Sequence, residues 1–192
     1  MTNGRPSFPP LPPDEALARA TAAGIPTVLA NPNVFRVLLH HPPVADIFAR
    51  LVQAVVLEGS LDPDLREMAI MRAAWIRGSA YEWASHYGIS SRIGMSDDKI
   101  VAIRSGPTAP GLDSRERAVL ALVDEIVTNG FASSEALTAA RDAAGSDSAY
   151  LELLLIPGSY SALASILDAL QVPLDDPSVS WPPDGLSPTP QD

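Results

Sequence analysis

The run Arg66-Glu67-Met68-Ala69-Ile70-Met71-Arg72-Ala73-Ala74-Trp75, followed beyond a break at Gly78 by Ser79-Ala80-Tyr81-Glu82-Trp83-Ala84-Ser85-His86, decides how this chain is read. Asp62 or Pro63 starts a helix in which Leu65, Met68, Ala69, Trp75 and Ile76 recur at helical spacing, and Gly78 interrupts it. A second helix continues from about Ser79 to Ile93, with Gly94 as its stop. On that helix Ser79, Glu82 and His86 stand at i, i+3 and i+7. A hydroxyl, a carboxyl and an imidazole therefore share one face within about two turns.

The same periodicity continues outward. Asp14 is the expected cap of a first helix through Ala16, Leu17 and Ala20 to Gly24. Asn33 opens a short helix that closes before Pro42, and Pro43 sits in the first turn of an apolar stripe through Val44, Ile47, Phe48, Leu51, Val52, Val55 and Val56 to Gly59. Ser96 caps a short helix ending near Gly106, and Asp113 or Ser114 caps another that ends at Gly130. Ser133 to Ala144 is a further helix, and Ala149 to Leu170 is the last, interrupted or kinked around Pro157 and Gly158. Convincing period-two alternation is missing. The expected fold is all-α, with about eight or nine helices and short loops.

The chain has 192 residues, 46% hydrophobic and 19% charged, the balance of one globular domain. There is no cysteine, which closes thiol peroxidase, disulfide reductase, thiolate protease and cysteine-ligated metal chemistry. Acidic residues outnumber basic ones by 23 to 13, for a net charge of −10, and no Lys/Arg cluster offers a phosphate-binding footprint. Nucleic acid is not an expected partner. No apolar run approaches ~20 residues and the start lacks the order of a signal peptide, so the expectation is a cytoplasmic protein without a membrane partner. Prolines mark both ends, among them Pro6, Pro9, Pro10, Pro12 and Pro13, then Pro177, Pro182, Pro183, Pro188 and Pro190. They divide the chain into a proline-rich arm over 1–13, one domain over 14–176 and a proline-rich tail over 177–192, in which Trp181 favours partial docking.

A carboxylate four residues from an imidazole favours the imidazolium and orients its ring, and in a partly buried cleft such a pair relays protons near neutral pH. The same spacing also describes a solvated surface contact worth a few tenths of a kcal/mol. Glu67 reaches the same point only if its helix folds back against the next one. Tyr81, Trp83 and Trp75 read more readily as core or subunit-interface residues than as substrate clamps. A Glu-x-x-x-His metal site needs a third ligand, for which His40 and His41 are the other histidines; no metal is expected. These two histidines read otherwise as surface-loop residues, or as part of a lid.

Arg66-Glu67-x-Ala69-Ile70, Tyr81-Glu82-Trp83-x-x-His86, Gly94-Met95-Ser96-Asp97-Asp98-x-Ile100 and Tyr150-Leu151-Glu152-Leu153 together resemble the carboxymuconolactone decarboxylase and alkylhydroperoxidase D-like superfamily, over roughly residues 34 to 172. In the peroxidase branch a glutamate, two cysteines three apart and a histidine four beyond form a proton relay and a redox pair. Here Glu67 matches the glutamate and His86 the histidine, while Ser79 and Glu82 occupy the cysteine positions. Serine and glutamate can neither form nor resolve a sulfenic acid.

The resemblance then implies an all-α homo-oligomer with a pocket between helices near a subunit interface. It also implies lyase or isomerase chemistry on a small lactone or organic acid, without a cofactor. In this reading His86 is the acid/base, Glu82 its orienting partner and Glu67 a second relay group. Tyr81 or Ser79 donates to a developing oxyanion, and Arg66 or Arg72 holds a substrate carboxylate. The expected partners are a small-molecule substrate and further copies of the chain. The competing reading is a ligand-binding or scaffold oligomer that kept the fold and lost the reaction; peroxidase activity is opposed by the missing thiols.

Overall fold

The computed structural model describes residues 8–188. Its helices are α1 (Pro13–Ala22), α2 (Asn33–Leu38), α3 (Pro42–Val52), α4 (Pro63–Ile76), α5 (Ala80–Arg92), α6 (Asp97–Ser105), α7 (Ser114–Asn129), α8 (Ser134–Ala144) and α9 (Asp147–Ala169), and no strand occurs among the described residues. Short 3-10 turns over Thr27–Ala30 and Gly106–Thr108 and a π turn over Gln53–Leu57 complete the chain path.

Local chemistry explains the boundaries. Asp62, Ser79, Ser96, Ser133 and Ser146 each accept a backbone N–H at a helix start, and Asp113 forms a reciprocal capping box with Glu116. Gly130 and Gly145 end α7 and α8 in the left-handed conformation that only glycine adopts cheaply. Two expectations are corrected. Asp14 lies inside the first turn of α1, whose preceding residue is Pro12, because a proline at the first helical position needs no N–H partner. The last helix runs on through Pro157 and Gly158 without interruption, since burial of Ile156, Pro157, Tyr160 and Leu163 holds the segment in place.

α4 is the centre of the fold: Leu65 to Met71, Ala73 and Ala74 are all buried, and the helix packs against α5, α7 and α9. A helix buried around most of its circumference belongs inside the core, and its buried charges, Arg66 and Glu67, are paired with one another. The main apolar cluster joins α4, α6, α7, α8 and the first half of α9. A second cluster gathers α1, α2, α3 and the second half of α9, with Tyr81 of α5. The 23 residues of α9 are also long and apolar enough to span a membrane by composition, contrary to the expectation from the sequence, and one side of the helix packs on α4, α7 and α8.

Both proline-rich ends, as far as they are described, lie on this same chain. Leu11 is buried, the Arg36 side chain donates to the Leu11 carbonyl, and His40 Nε2 lies 3.0 Å from the Pro9 carbonyl oxygen. In the tail the rings of Trp181, Trp75 and Trp83 pack together, the Trp83 indole N–H donates to the Pro182 carbonyl at 2.7 Å, and Arg104 lies over Trp75 and Trp83 while pairing with Asp184. Pro6 and Pro190 lie outside the described residues.

Candidate functional site

The antiparallel return of α5 onto α4 brings Glu67 to His86. His86 Nδ1 lies 2.7 Å from Glu67 Oε2, and the second oxygen of Glu67 accepts from Arg66 Nε at 2.9 Å. Glu82 stands on the other side of the imidazole, its Oε2 3.6 Å from Nε2. All four side chains are buried, Glu67 completely. Three charged groups are therefore stacked in one line, Glu67 on one ring nitrogen and Glu82 on the other. The two carboxylates flank the ring and do not converge. Among the described residues no group of three or more His, Asp or Glu side chains is placed to hold a metal ion.

Burial works to raise the Glu67 carboxyl, but His86 and Arg66 outweigh it and hold this group below the usual carboxylate range. Burial alone lowers a histidine; the carboxylates of Glu67 and Glu82 prevail, and His86 is raised. Glu82 has no comparable support. Burial pushes its carboxyl up to about 6, with Asp175 adding to the rise and His86 opposing it. Within the inner pair each group favours the charged form of the other, and the outer carboxyl is poised to gain or lose a proton near pH 6.

His86 and Glu82 face a cavity of about 350 Å³, which falls in the size range of small-ligand pockets. It opens at the seam between the two apolar clusters. Glu82, Ser85, His86, Ile89 and Arg92 line it from one face of α5, while Phe35, Leu38, Phe48 and Val52 close the opposite wall from α2 and α3. Tyr160 and Leu163 of α9 and Asp175 of the segment that follows α9 complete it. The Tyr160 ring stands edge-on to the imidazole, with centroids 5.4 Å apart.

The sequence candidates separate into those that meet and those that do not. Glu67, Glu82 and His86 meet, with two roles exchanged: Glu67 holds the ring at hydrogen-bond distance, and Glu82 is the carboxyl exposed to the cavity. Ser79 is corrected to a structural part, because the helix starts at Ala80 and the Ser79 hydroxyl accepts the Glu82 N–H as its cap. Tyr81 lines the cavity, but its hydroxyl accepts from the Val34 amide at 3.0 Å and donates to Asp175 at 2.8 Å, which leaves no proton for an oxyanion. Arg66 is consumed by Glu67. Arg72 is remote from the cavity, forming a two-pronged pair with Asp124 and donating to the carbonyls of Ile103 and Arg104. His40 holds the N-terminal arm and His41 precedes α3; neither lines the cavity.

Ser85, Ile89, Arg92, Tyr160 and Asp175 were not anticipated. The first three were legible, since they repeat the helical spacing of Glu82 and His86. The last two come from a distant helix and the segment that follows it and carry no local signal.

Residues 42–125 match the Carboxymuconolactone decarboxylase family. A search of curated proteins gives no significant match. Among solved structures, a peroxidase-related protein with an alkylhydroperoxidase AhpD core from Ralstonia eutropha is similar at 19% identity, covering 90% of this chain and 92% of that one, with a TM-score of 0.69. A peroxidase-related protein from a Silicibacter species is similar at 15% identity, over 90% and 93% of the two chains, with a TM-score of 0.71. The debrominase Bmp8, solved in complex with 2,3,4-tribromopyrrole, is similar at 18% identity over 87% and 90%, with a TM-score of 0.69. Glu67, Glu82 and His86 all fall within the matched segment. Over residues 42–125 this chain is thus similar to the carboxymuconolactone decarboxylase family, and its helical architecture is that of the AhpD-like structures.

Proposed function

We propose that the protein is a proton-transfer catalyst of the lyase or isomerase type, acting on a small lactone or organic acid without a redox thiol or a cofactor. The observation that carries this reading is the buried Glu67–His86–Glu82 line ending in an apolar cavity. Glu67 keeps the Nδ1 proton in place and holds the ring, so His86 presents an Nε2 proton as a general acid. Glu82, near neutrality in its affinity for a proton, accepts one from the substrate and returns it. The apolar walls exclude water from the developing charge.

A peroxide-reducing cycle needs a thiolate and a resolving thiol, and this sequence has neither. Arg92, exposed toward the rim on the cavity face of α5, is the one arginine in the lining and takes the anionic end of the substrate in place of Arg66 and Arg72. The proposal includes a cytoplasmic homo-oligomer with no nucleic-acid or membrane partner.

The test is incubation of the purified protein in D₂O with γ-carboxymuconolactone and a panel of related lactone and β-keto acids, following CO₂ loss and deuterium incorporation by NMR. Turnover or exchange that vanishes in a folded His86→Gln variant supports the reading. Turnover that persists in that variant refutes the role of His86. Silence across the panel favours the non-catalytic binding protein.

A further inference from the structure

The acid/base line accounts for the proton but not for the oxygen. Abstracting a proton next to a carbonyl, or losing CO₂ beside one, moves an electron pair onto the carbonyl oxygen, and that charge needs a donor already in place. Glu67 and Glu82 cannot donate while ionised, the Tyr81 hydroxyl proton goes to Asp175, and Ser79 is a helix cap. Two further hydroxyl-bearing residues line the cavity, Ser85 of α5 and Tyr160 of α9, and of these it is Tyr160 whose ring stands against the imidazole.

Tyr160 is 4% exposed, lines the cavity and stands edge-on to the imidazole. Its hydroxyl has no hydrogen-bond partner among the described residues. It is not among the fully enclosed unpartnered atoms, so the hydroxyl of this buried residue opens onto the cavity. Nothing in the packing requires an oxygen here, because Leu163 and Ile156 on the same side of α9 are purely apolar. Burial, reinforced by the nearby carboxylates of Glu82 and Glu67, holds the hydroxyl well above the usual phenol range, so it keeps its proton at any pH at which Glu82 works.

We propose that the Tyr160 hydroxyl donates to the carbonyl oxygen of the substrate, and that the substrate is accordingly a carbonyl compound whose reacting carbon is adjacent to that carbonyl. This inference rests on the proton-transfer reading above. In the isomerisation step the C–H bond breaks, its proton passes to the Glu82 carboxylate, and its electron pair forms the new C=C bond. The carbonyl π pair moves to oxygen, where Tyr160 donates to it. Reprotonation at carbon by Glu82 or His86 restores the carbonyl. In decarboxylation the C–COO⁻ pair takes the place of the C–H pair, CO₂ leaves, and the same enolate is protonated.

The experiment uses two probes of nearly equal shape, 4-nitrophenol, whose oxyanion mimics an enolate, and nitrobenzene, which lacks that oxygen. Binding to wild type and Tyr160→Phe is measured by calorimetry and by the visible absorption of nitrophenolate. The variant is expected to fold with unchanged stability, to lose at least about tenfold in nitrophenol affinity and to keep its nitrobenzene affinity within about twofold. Equal loss of both probes, loss of neither, no saturable binding to wild type, or a large drop in thermal stability of the variant would each overturn the proposal. A His86→Gln variant that leaves proton exchange unchanged sinks the acid/base reading instead, and the nitrophenol–nitrobenzene discrimination does not depend on it.

Discussion

His86 Nδ1 of α5 and Glu67 Oε2 of α4 are 2.7 Å apart across nineteen residues of sequence. This contact fixes the imidazole, closes α5 onto α4 and neutralises a carboxylate that has no exposure to solvent. Glu67→Gln removes the charge and turns one of its two acceptor oxygens into an NH2 group, so either Arg66 or His86 loses its acceptor. Breaking one partner of such a buried pair costs about 3–5 kcal/mol. Urea denaturation at neutral pH should show the midpoint fall accordingly, with the helical signal of the remaining folded protein intact. A shift of less than about 1 kcal/mol would mean that the pair contributes little to the fold.

Glu82 imposes a cost with the opposite pH dependence. Its folded value of about 6 exceeds the ordinary 4.5, so the folded protein binds the proton more tightly than the unfolded chain. Stability from this group is complete below 4.5 and is lost as pH rises through 6, by about 2 kcal/mol in all. Glu67, held low, contributes stability above 4.5 that disappears as pH falls further, and His86, held high, contributes below 6.5 and loses it above its raised value. The interval between 4.5 and 6 is therefore Glu82's own. Denaturation curves of wild type and Glu82→Gln over this interval should diverge, with the variant gaining relative stability as pH rises.

Activity, where the panel reveals it, should rise with pH through an apparent value near 6 as Glu82 becomes the carboxylate base. In Glu82→Gln that limb disappears and turnover falls by about a hundredfold or more. A limb that survives unchanged in the variant would assign it to another group.

Four residues distinguish support from recognition. Ser79→Ala should lower stability by about 1 kcal/mol through loss of the α5 cap, leaving turnover per folded molecule within about twofold. Arg72→Ala should lower stability by about 2 kcal/mol or more, since Asp124 and the carbonyls at the end of α6 lose their donor, again without raising KM. Arg92→Gln should do the reverse, raising KM for an anionic substrate at constant thermal stability. Tyr81→Phe removes the bond that ties Asp175, beyond α9, to α5, and hydrogen exchange of the Val34 amide should accelerate.

Gly106 illustrates how tightly the Arg72 region is drawn. It has φ of +74°, and a Cβ there would stand 2.8 Å from Arg72 Nη2. Gly106→Ala should therefore destabilise the protein by strain and by displacement of the guanidinium, read as a lower Tm at unchanged pocket affinity for nitrobenzene.

Apolar spacing, helix caps and glycine stops are local properties, and they were sufficient to place most of these helices and to exclude thiol chemistry. Glu82 and His86 share a face in any helix, so their proximity was also written in the chain. Ser79 was misplaced on that face because its spacing holds only if residue 79 is itself helical, and a capping serine is not. Whether Glu67 or Glu82 would hold the imidazole depended on how α5 folds back on α4, a relation between two elements that neither encodes alone. Tyr160, Asp175 and the seam between the two apolar clusters lie still further away in sequence. Their convergence is the work of packing, because burying the second half of α9 against α2 and α3 is what encloses the cavity and sets Tyr160 beside the imidazole.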